Sequence, residues 1–426
     1  MAMDRRDFLK SAGVLAAVPT ALPDMLAAQR APGVGTRAAD VVVIGAGAWG
    51  GWTALHLREL GANVTLVDQY GAGNARATSG DETRGVRTAY GPREPWSRWA
   101  HEAIGRWRAW DAEWGRELGM QLFFPTGDLI MRPEWDTFLE DTRAVWDRIG
   151  IRYEVLTPDE VRYRYPVIDT EGMQAAVFEN DAGVARARRS CEAVAEVFRR
   201  RGGRIMHAHA ALGVRADGRA ESVRLTPGDA LRADAFVFAC GPWLPRALPD
   251  AMNARLRTPM GSVYYFGVPA QDQRYTFPNM PSWNFPGVTG WAALPPDHRG
   301  FRVRTGGAGS EQDPDLSSRW VDEQYHERAR TFLAQRFPLM KDAPIVQTHA
   351  CHYEFSVTRN FIIDRHPGLD NVWIAGAGNA EGFKMGPVVG EYIAHRVLGM
   401  PTDAALDEDF KLSAEVFPPP EPPPPA

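Results

Sequence analysis

The stretch Gly45-Ala46-Gly47-Ala48-Trp49-Gly50 carries glycines in a G-x-G-x-x-G spacing, and the chemistry such a stretch can do is to cradle a pyrophosphate. Gly45 suits a tight turn, Gly47 lets the main chain approach the phosphates, and Gly50 lets the following helix lie close on the preceding strand. The start of that helix offers free N–H groups and a positive dipole end to the anion. Asp68 closes a second strand, Asn63-Val64-Thr65-Leu66-Val67, and stands where a ribose hydroxyl would be hydrogen-bonded. Strand, loop, helix and closing acid together predict a dinucleotide site rather than a glycine-rich loop. Arg84 and Arg87 lie in a small, polar, glycine-rich stretch over 77–91, which reads as a loop. Taken alone, these arginines read as solvated. Cys191 and Cys240 read as small buried hydrophobes, and Cys351 taken alone reads the same way. No metal-ligand set is expected.

These residues need elements to position them. Val41-Val42-Val43-Ile44 is a run of β-branched residues, the pattern of a central strand covered on both faces. Trp96, Trp99, Ala103, Trp107, Trp110, Trp114 and Leu118 recur at steps of three and four and predict an amphipathic helix whose tryptophans pack in the core. Trp135, Phe138, Leu139, Val145, Trp146 and Ile149 predict a second. An α/β pattern returns over 173–247, with a helix holding Cys191, Val194, Val197 and Phe198, and a strand Ala235-Phe236-Val237-Phe238-Ala239 that runs into Cys240-Gly241-Pro242-Trp243. Over 248–349, Tyr264-Tyr265-Phe266 and Phe301-Arg302-Val303 read as strands among proline-rich loops, followed by a helix over about 320–337. Then come Phe361-Ile362-Ile363-Asp364, a strand Val372-Trp373-Ile374-Ala375, the turn Gly376-Ala377-Gly378, the segment Gly382-Phe383-Lys384, and a helix with Val389, Ile393 and Val397.

The 426 residues leave room for two or three domains. A net charge of −5 argues against nucleic acid or an anionic membrane surface as the main partner, and beyond the N-terminus no apolar run is long enough to span a bilayer. Residues 1–36 resemble a twin-arginine export signal: Arg5-Arg6 precede Phe8-Leu9-Lys10 and a short apolar stretch. The expectation is export to the periplasm by the twin-arginine machinery, which carries folded protein already loaded with its cofactor. Three cysteines, an odd number, do not make a disulfide framework. The tail over 418–426 is nearly all proline and is expected to be extended.

Residues from about 38 to 400 resemble the sarcosine oxidase and N-methyl amino acid oxidase branch of the FAD-dependent D-amino acid oxidase superfamily. Three stretches carry the resemblance beyond the opening fingerprint. The loop over 81–91 is similar to the branch's Gly-Asp-Thr-Arg loop, with Arg84 and Arg87 in the matching places. Cys351-His352-Tyr353, followed by Phe361-Ile362-Ile363-Asp364, matches the segment whose cysteine carries flavin covalently. Gly382-Phe383-Lys384 matches the segment beside substrate and flavin. The implied fold class is α/β: a Rossmann-type FAD-binding domain of the D-amino acid oxidase (GR2-like) type, with a discontinuous α+β substrate domain built on a mostly antiparallel sheet. The expected division is 38–92, 170–247 and 350–400 for the FAD domain, 93–169 and 248–349 for the substrate domain, and 401–426 as a C-terminal extension.

The resemblance implies FAD, bonded covalently to Cys351, and a small amino acid as substrate. It places Gly45, Ala46, Gly47, Ala48, Trp49, Gly50, Asp68, Gly80, Arg84, Gly241, Trp243, Gly376, Gly378, Gly382, Phe383 and Lys384 around the cofactor. It gives Arg87 and Lys384 the substrate carboxylate, sets Arg84 against the flavin, and adds Tyr353 to the catalytic group. Guanidinium and ammonium together would fix the substrate's α-carbon over flavin N5. The implied reaction oxidises the C–N bond of a secondary amino acid (N-methyl, N-alkyl or cyclic) to an imine. Three departures bear on it: the branch's lysine over the flavin ring is matched by Arg302, a histidine by Gly306, and a pocket tyrosine by Trp291. Arginine keeps the positive charge, but its delocalised head is placed differently from an ammonium. The electron acceptor is therefore open between oxygen and a quinone or carrier, and an amine or D-amino acid dehydrogenase is the alternative. An NAD-dependent dehydrogenase would share the fingerprint but have no use for the Cys351 and Lys384 segments. A binding protein that retains FAD as a structural ligand is the third class, opposed by Arg87 and Lys384.

Overall fold

Because four consecutive β-branched residues must be covered on both faces, β1 (Asp40–Ile44) takes an interior position in a six-stranded sheet, with Val41 to Ile44 all buried. The computed structural model describes residues 37–418 apart from 297, 306–312 and 322. The export segment over 1–36, Gly306 and the proline tail from 419 lie outside the described residues. In the six-stranded sheet, Leu369–Gly376, Ala235–Phe238, β1, β2 (Asn63–Asp68) and Arg204–His207 run parallel, and Ile362–His366 adds an antiparallel edge. Helix α1 (Ala48–Glu59) lies against the helix Gly386–Leu398. The two backbones come so close that a Cβ on Gly390 would sit 2.4 Å from the Trp52 Cβ. Only glycine fits there.

A second, eight-stranded sheet follows the order Ile345–His352, Met260–Phe266, Phe301–Thr305, Val288–Trp291, Ser282–Phe285, Asp128–Arg132, Ala175–Glu179, Tyr153–Leu156. Its neighbours are antiparallel except Ser282–Phe285 with Asp128–Arg132. Trp283 and Phe301 of this sheet pack with Phe332 and Phe337 in an aromatic core. The architecture is an α/β fold in which a mainly parallel sheet is joined to a mostly antiparallel one, as the resemblance implies. The eight-stranded sheet takes Ala175–Glu179 from the segment assigned to the FAD domain, and its edge strand Ile345–His352 crosses the boundary drawn at 350. Among the described residues no helix is long and apolar enough to cross a membrane.

Three local expectations are corrected. The polar stretch over 77–91 is not all loop: Thr83–Val86 forms β3, paired antiparallel with Gly183–Arg186. It is a strand despite its composition because its charges are paired, Arg84 with Asp81 and Arg186 with Glu82. Trp135 and Phe138 are exposed, at 38% and 37%. The helix Thr137–Ile149 starts only after Asp136, whose carboxylate accepts the Leu139 N–H at 2.9 Å. The late helix starts at Glu323, leaving Trp320 81% exposed. The tryptophan stripe does pack inward along α2 (Glu94–Trp110), with Trp96, Trp107 and Trp114 buried, and its last turn widens into a π turn over Asp111–Gly115.

Candidate active site

Gly45 leaves β1 at φ +103°, and a Cβ there would meet the Ala239 carbonyl oxygen at 2.3 Å. Gly47 begins α1; among the described residues no side chain caps that helix and its first turn holds no acid. Its first N–H groups are therefore left for an anion. Gly47 and Ala48 both line a cavity of about 470 Å³. Gly45, Trp49, Asp68, Gly241 and Trp243 line it too, as do Gly376, Gly378, Gly382 and Phe383. Asp68 is more occupied than expected: its carboxylate accepts the N–H groups of Ala46 (2.7 Å), Tyr70 and Gly71 (2.8 Å each). It shapes the phosphate loop as well as facing the cavity. Ala46, Gly50 and Gly80 are not in the lining. Ala46 is tied to Asp68, Gly50 packs on the Gly45 carbonyl, and Gly80 holds the turn behind Thr78 and Ser79. An uncapped helix start, a glycine cradle and an acid at the second strand fit the ADP half of FAD.

Arg84 reaches the same cavity, and its Nη2 donates to the Thr78 carbonyl at 2.7 Å and to Cys351 Sγ at 3.5 Å. Its Nη1 pairs with the buried Asp81, which also accepts Arg302 Nη2 at 3.3 Å and Tyr265 Oη at 2.9 Å. Burial alone would raise the Asp81 carboxyl; Arg84 and Arg302 overcome it and hold the group ionised. Arg302 is 3% exposed, with its guanidinium 3.9 Å over the Trp291 ring, outside the cavity lining. Arg304, two residues on, donates from Nε to Tyr353 Oη at 2.7 Å. Tyr353 and Glu354 line the cavity; Cys351 is fully buried just behind them.

Arg87 and Lys384 come together on one carboxylate, that of Glu381. Arg87 Nη2 lies 4.0 Å from Glu381 Oε1, and Lys384 Nζ pairs with Oε2. Lys384 Nζ also donates to Tyr90 Oη at 2.9 Å. The segment is held from behind by two tryptophans: Trp49 Nε1 donates to the Gly382 carbonyl at 3.0 Å and Trp107 Nε1 to the Lys384 carbonyl at 2.7 Å. Burial lowers the Lys384 ammonium and Glu381 opposes that shift. Burial would raise Glu381, but Lys384 and Arg87 bring it down to about 2. Close by, Asp128 and Glu179 face each other across two paired strands. Burial pushes Glu179 up to about 8, against hydrogen bonds from Thr88.

Sequence reasoning missed Asp81, Glu381, Tyr90 and Arg304. Two of these had a local signal, since Asp81 precedes Arg84 and Glu381 precedes Lys384 by three residues. Among the described residues, no group of three or more His, Cys, Asp or Glu is arranged to hold a metal.

The family model for FAD dependent oxidoreductases (DAO) matches residues 40–396. Peroxisomal sarcosine oxidase of Homo sapiens is 27% identical over 370 residues, 83% of this chain and 90% of that protein. N-methyl-L-tryptophan oxidase of Yersinia pestis is 23% identical over 362 residues, 83% of this chain and 94% of that protein. The crystal structure of L-proline dehydrogenase from P. horikoshii aligns with a TM-score of 0.75 at 18% identity, over 88% of this chain and 97% of that one. That likeness concerns the fold.

Proposed function

The chain belongs to the FAD dependent oxidoreductase family, and from that premise we propose that it oxidises the C–N bond of a secondary amino acid (N-methyl, N-alkyl or cyclic) to an imine. The observation that carries the proposal is the convergence of Arg87 and Lys384, remote in sequence, on a single carboxylate position. When bound, FAD supplies the two-electron chemistry, taking a hydride equivalent from the carbon beside the amine nitrogen. Arg87 grips the substrate carboxylate through its guanidinium fork and Lys384 adds a point charge. Two cations beside the amine disfavour its ammonium form, keeping the nitrogen lone pair available. Tyr90 and Trp107 hold Lys384 in place. The names of the sarcosine and N-methyl-L-tryptophan oxidases support this substrate class.

Two finer readings belong to the same proposal. Cys351 carries the flavin through a thioether, supported by the Arg84 guanidinium at its sulfur. Forming that bond would remove one hydrogen from the thiol and one from the flavin 8α-methyl, and both would pass to the acceptor that reoxidises the enzyme. The chain is exported to the periplasm by the twin-arginine machinery, supported by Arg5-Arg6 and the apolar stretch after them.

The test is anaerobic mixing of the FAD-loaded protein with sarcosine, larger N-methyl amino acids and proline. Bleaching of the flavin band by at least one is expected. Arg87→Ala should weaken binding of that substrate by about 2–4 kcal/mol, the scale of a lost buried charge pair. A flavin band that none of these secondary amino acids bleaches would overturn the proposal.

A further inference from the structure

An ammonium group has three N–H donors, and those of Lys384 already have three acceptors inside the protein. Nζ lies 2.9 Å from Tyr90 Oη and 3.5 Å from the Glu381 carbonyl oxygen, and it pairs with the Glu381 carboxylate. The Lys384 side chain is 4% exposed. Tyr90 Oη donates onward to Glu381 Oε2 at 3.2 Å. The other oxygen, Oε1, is 4.0 Å from Arg87 Nη2. One carboxylate thus spans both cations, as a substrate carboxylate would. The Glu381 side chain is the more exposed of the pair, at 30%. Among the described residues Arg87 is the less engaged of the two cations, its Nη1 donating to the Ala89 carbonyl at 3.5 Å.

We propose that Glu381 is a specificity-determining residue, a resident carboxylate that competes with the substrate's own carboxylate for Arg87 and Lys384. The inference rests on the reading of those two cations as the carboxylate grip. A carboxylate-bearing amine reaches Lys384 only when the Glu381 side chain gives up its bond to Nζ. Until then the substrate has Arg87 alone, with Glu381 as a like-charged neighbour. Substrates whose carboxylate is absent or masked escape that competition. Glu381 therefore narrows the affinity gap between amino acids and plain secondary amines.

The experiment uses FAD-loaded protein and two probes that cannot be oxidised at a C–N bond beside a ring carbon: cyclopentanecarboxylate and its neutral carboxamide. Calorimetric titration compares the wild type with Glu381→Gln and Glu381→Ser. The carboxylate should bind about tenfold more tightly to either variant, the scale expected when a competing charge is removed. The carboxamide should change by less than about threefold, since it brings no charge to the site. Unchanged or weaker carboxylate binding in an FAD-loaded variant overturns the proposal. Loss of FAD loading in both variants overturns it as well, because Glu381 would then be structural. The binding comparison does not depend on turnover, so inactivity toward every secondary amine would count against the proposed reaction and leave this result to be read by itself.

Discussion

At the residue scale, the buried sulfur of Cys351 has a guanidinium against it. Arg84 Nη2 donates to its sulfur, while Arg84 Nη1 is anchored by the buried Asp81. The same guanidinium thus joins the phosphate-side loop, through the Thr78 carbonyl, to the cysteine strand. Acid-precipitated wild-type protein should stay yellow, with an FAD-mass adduct on the peptide containing Cys351. Cys351→Ser should release its flavin on precipitation while binding it in the native state. Flavin freed by acid from the wild type would rule out the bond without touching the proposed amine oxidation.

Strand register, at the scale of elements, creates a strain of charge that neither residue shows alone. Asp128–Arg132 and Ala175–Glu179 pair so that Asp128 and Glu179 are directly opposite, both buried. Thr88 answers Glu179 with its main-chain N–H and hydroxyl, and Ser282 answers Asp128 at 2.6 Å. Burial raises both carboxyls, Glu179 from 4.5 to about 8. A carboxyl with a raised folded value binds its proton more tightly folded than unfolded. Its contribution to stability is therefore full below about pH 4.5 and is lost as the pH rises toward 8. Thermal melts of wild type and Glu179→Gln across pH 5 to 8 check this. Relative to the variant, the wild type should lose up to about 1.4 kcal/mol per pH unit. A constant difference across that range would show that Glu179 does not take up a proton on folding.

For the whole molecule, the cavity draws on segments from near the start of the described chain to near its end. The fingerprint comes from β1 and α1, Gly241 and Trp243 from the middle, and Gly376 to Phe383 from late in the sequence. A cavity assembled this way exists only once the chain has folded, so a cofactor captured in the cytoplasm must travel with a folded protein. The proposed twin-arginine route would meet that requirement. Replacing Arg5 and Arg6 together by lysine should leave yellow, folded protein in the cytoplasm, read by fractionation and flavin fluorescence. Continued export of the double variant would show that another route carries the chain.

Local patterns carried much of this in the sequence itself. The β-branched run, the glycine spacing and the closing acid located the dinucleotide unit, because turn geometry and strand burial are set by neighbours in the chain. Tryptophans at helical spacing announced α2 for the same reason. The motif match brought Arg87, Lys384 and Cys351 to notice but could not say what surrounds them. Arg84 meets Cys351 across 267 residues, and Trp107 holds the Lys384 carbonyl across 277. Such pairings follow from strand order and helix crossing, which no local window contains. The polar stretch around Arg84 became a strand because partners elsewhere neutralise its charges. Glu381 stood three residues from Lys384 in plain view, yet its place between two cations depended on Arg87 arriving from the other end of the fold. The sequence by itself determined the elements and the chemistry available to them; the tertiary structure decided which charges meet, because burial lets a distant partner outweigh a near neighbour.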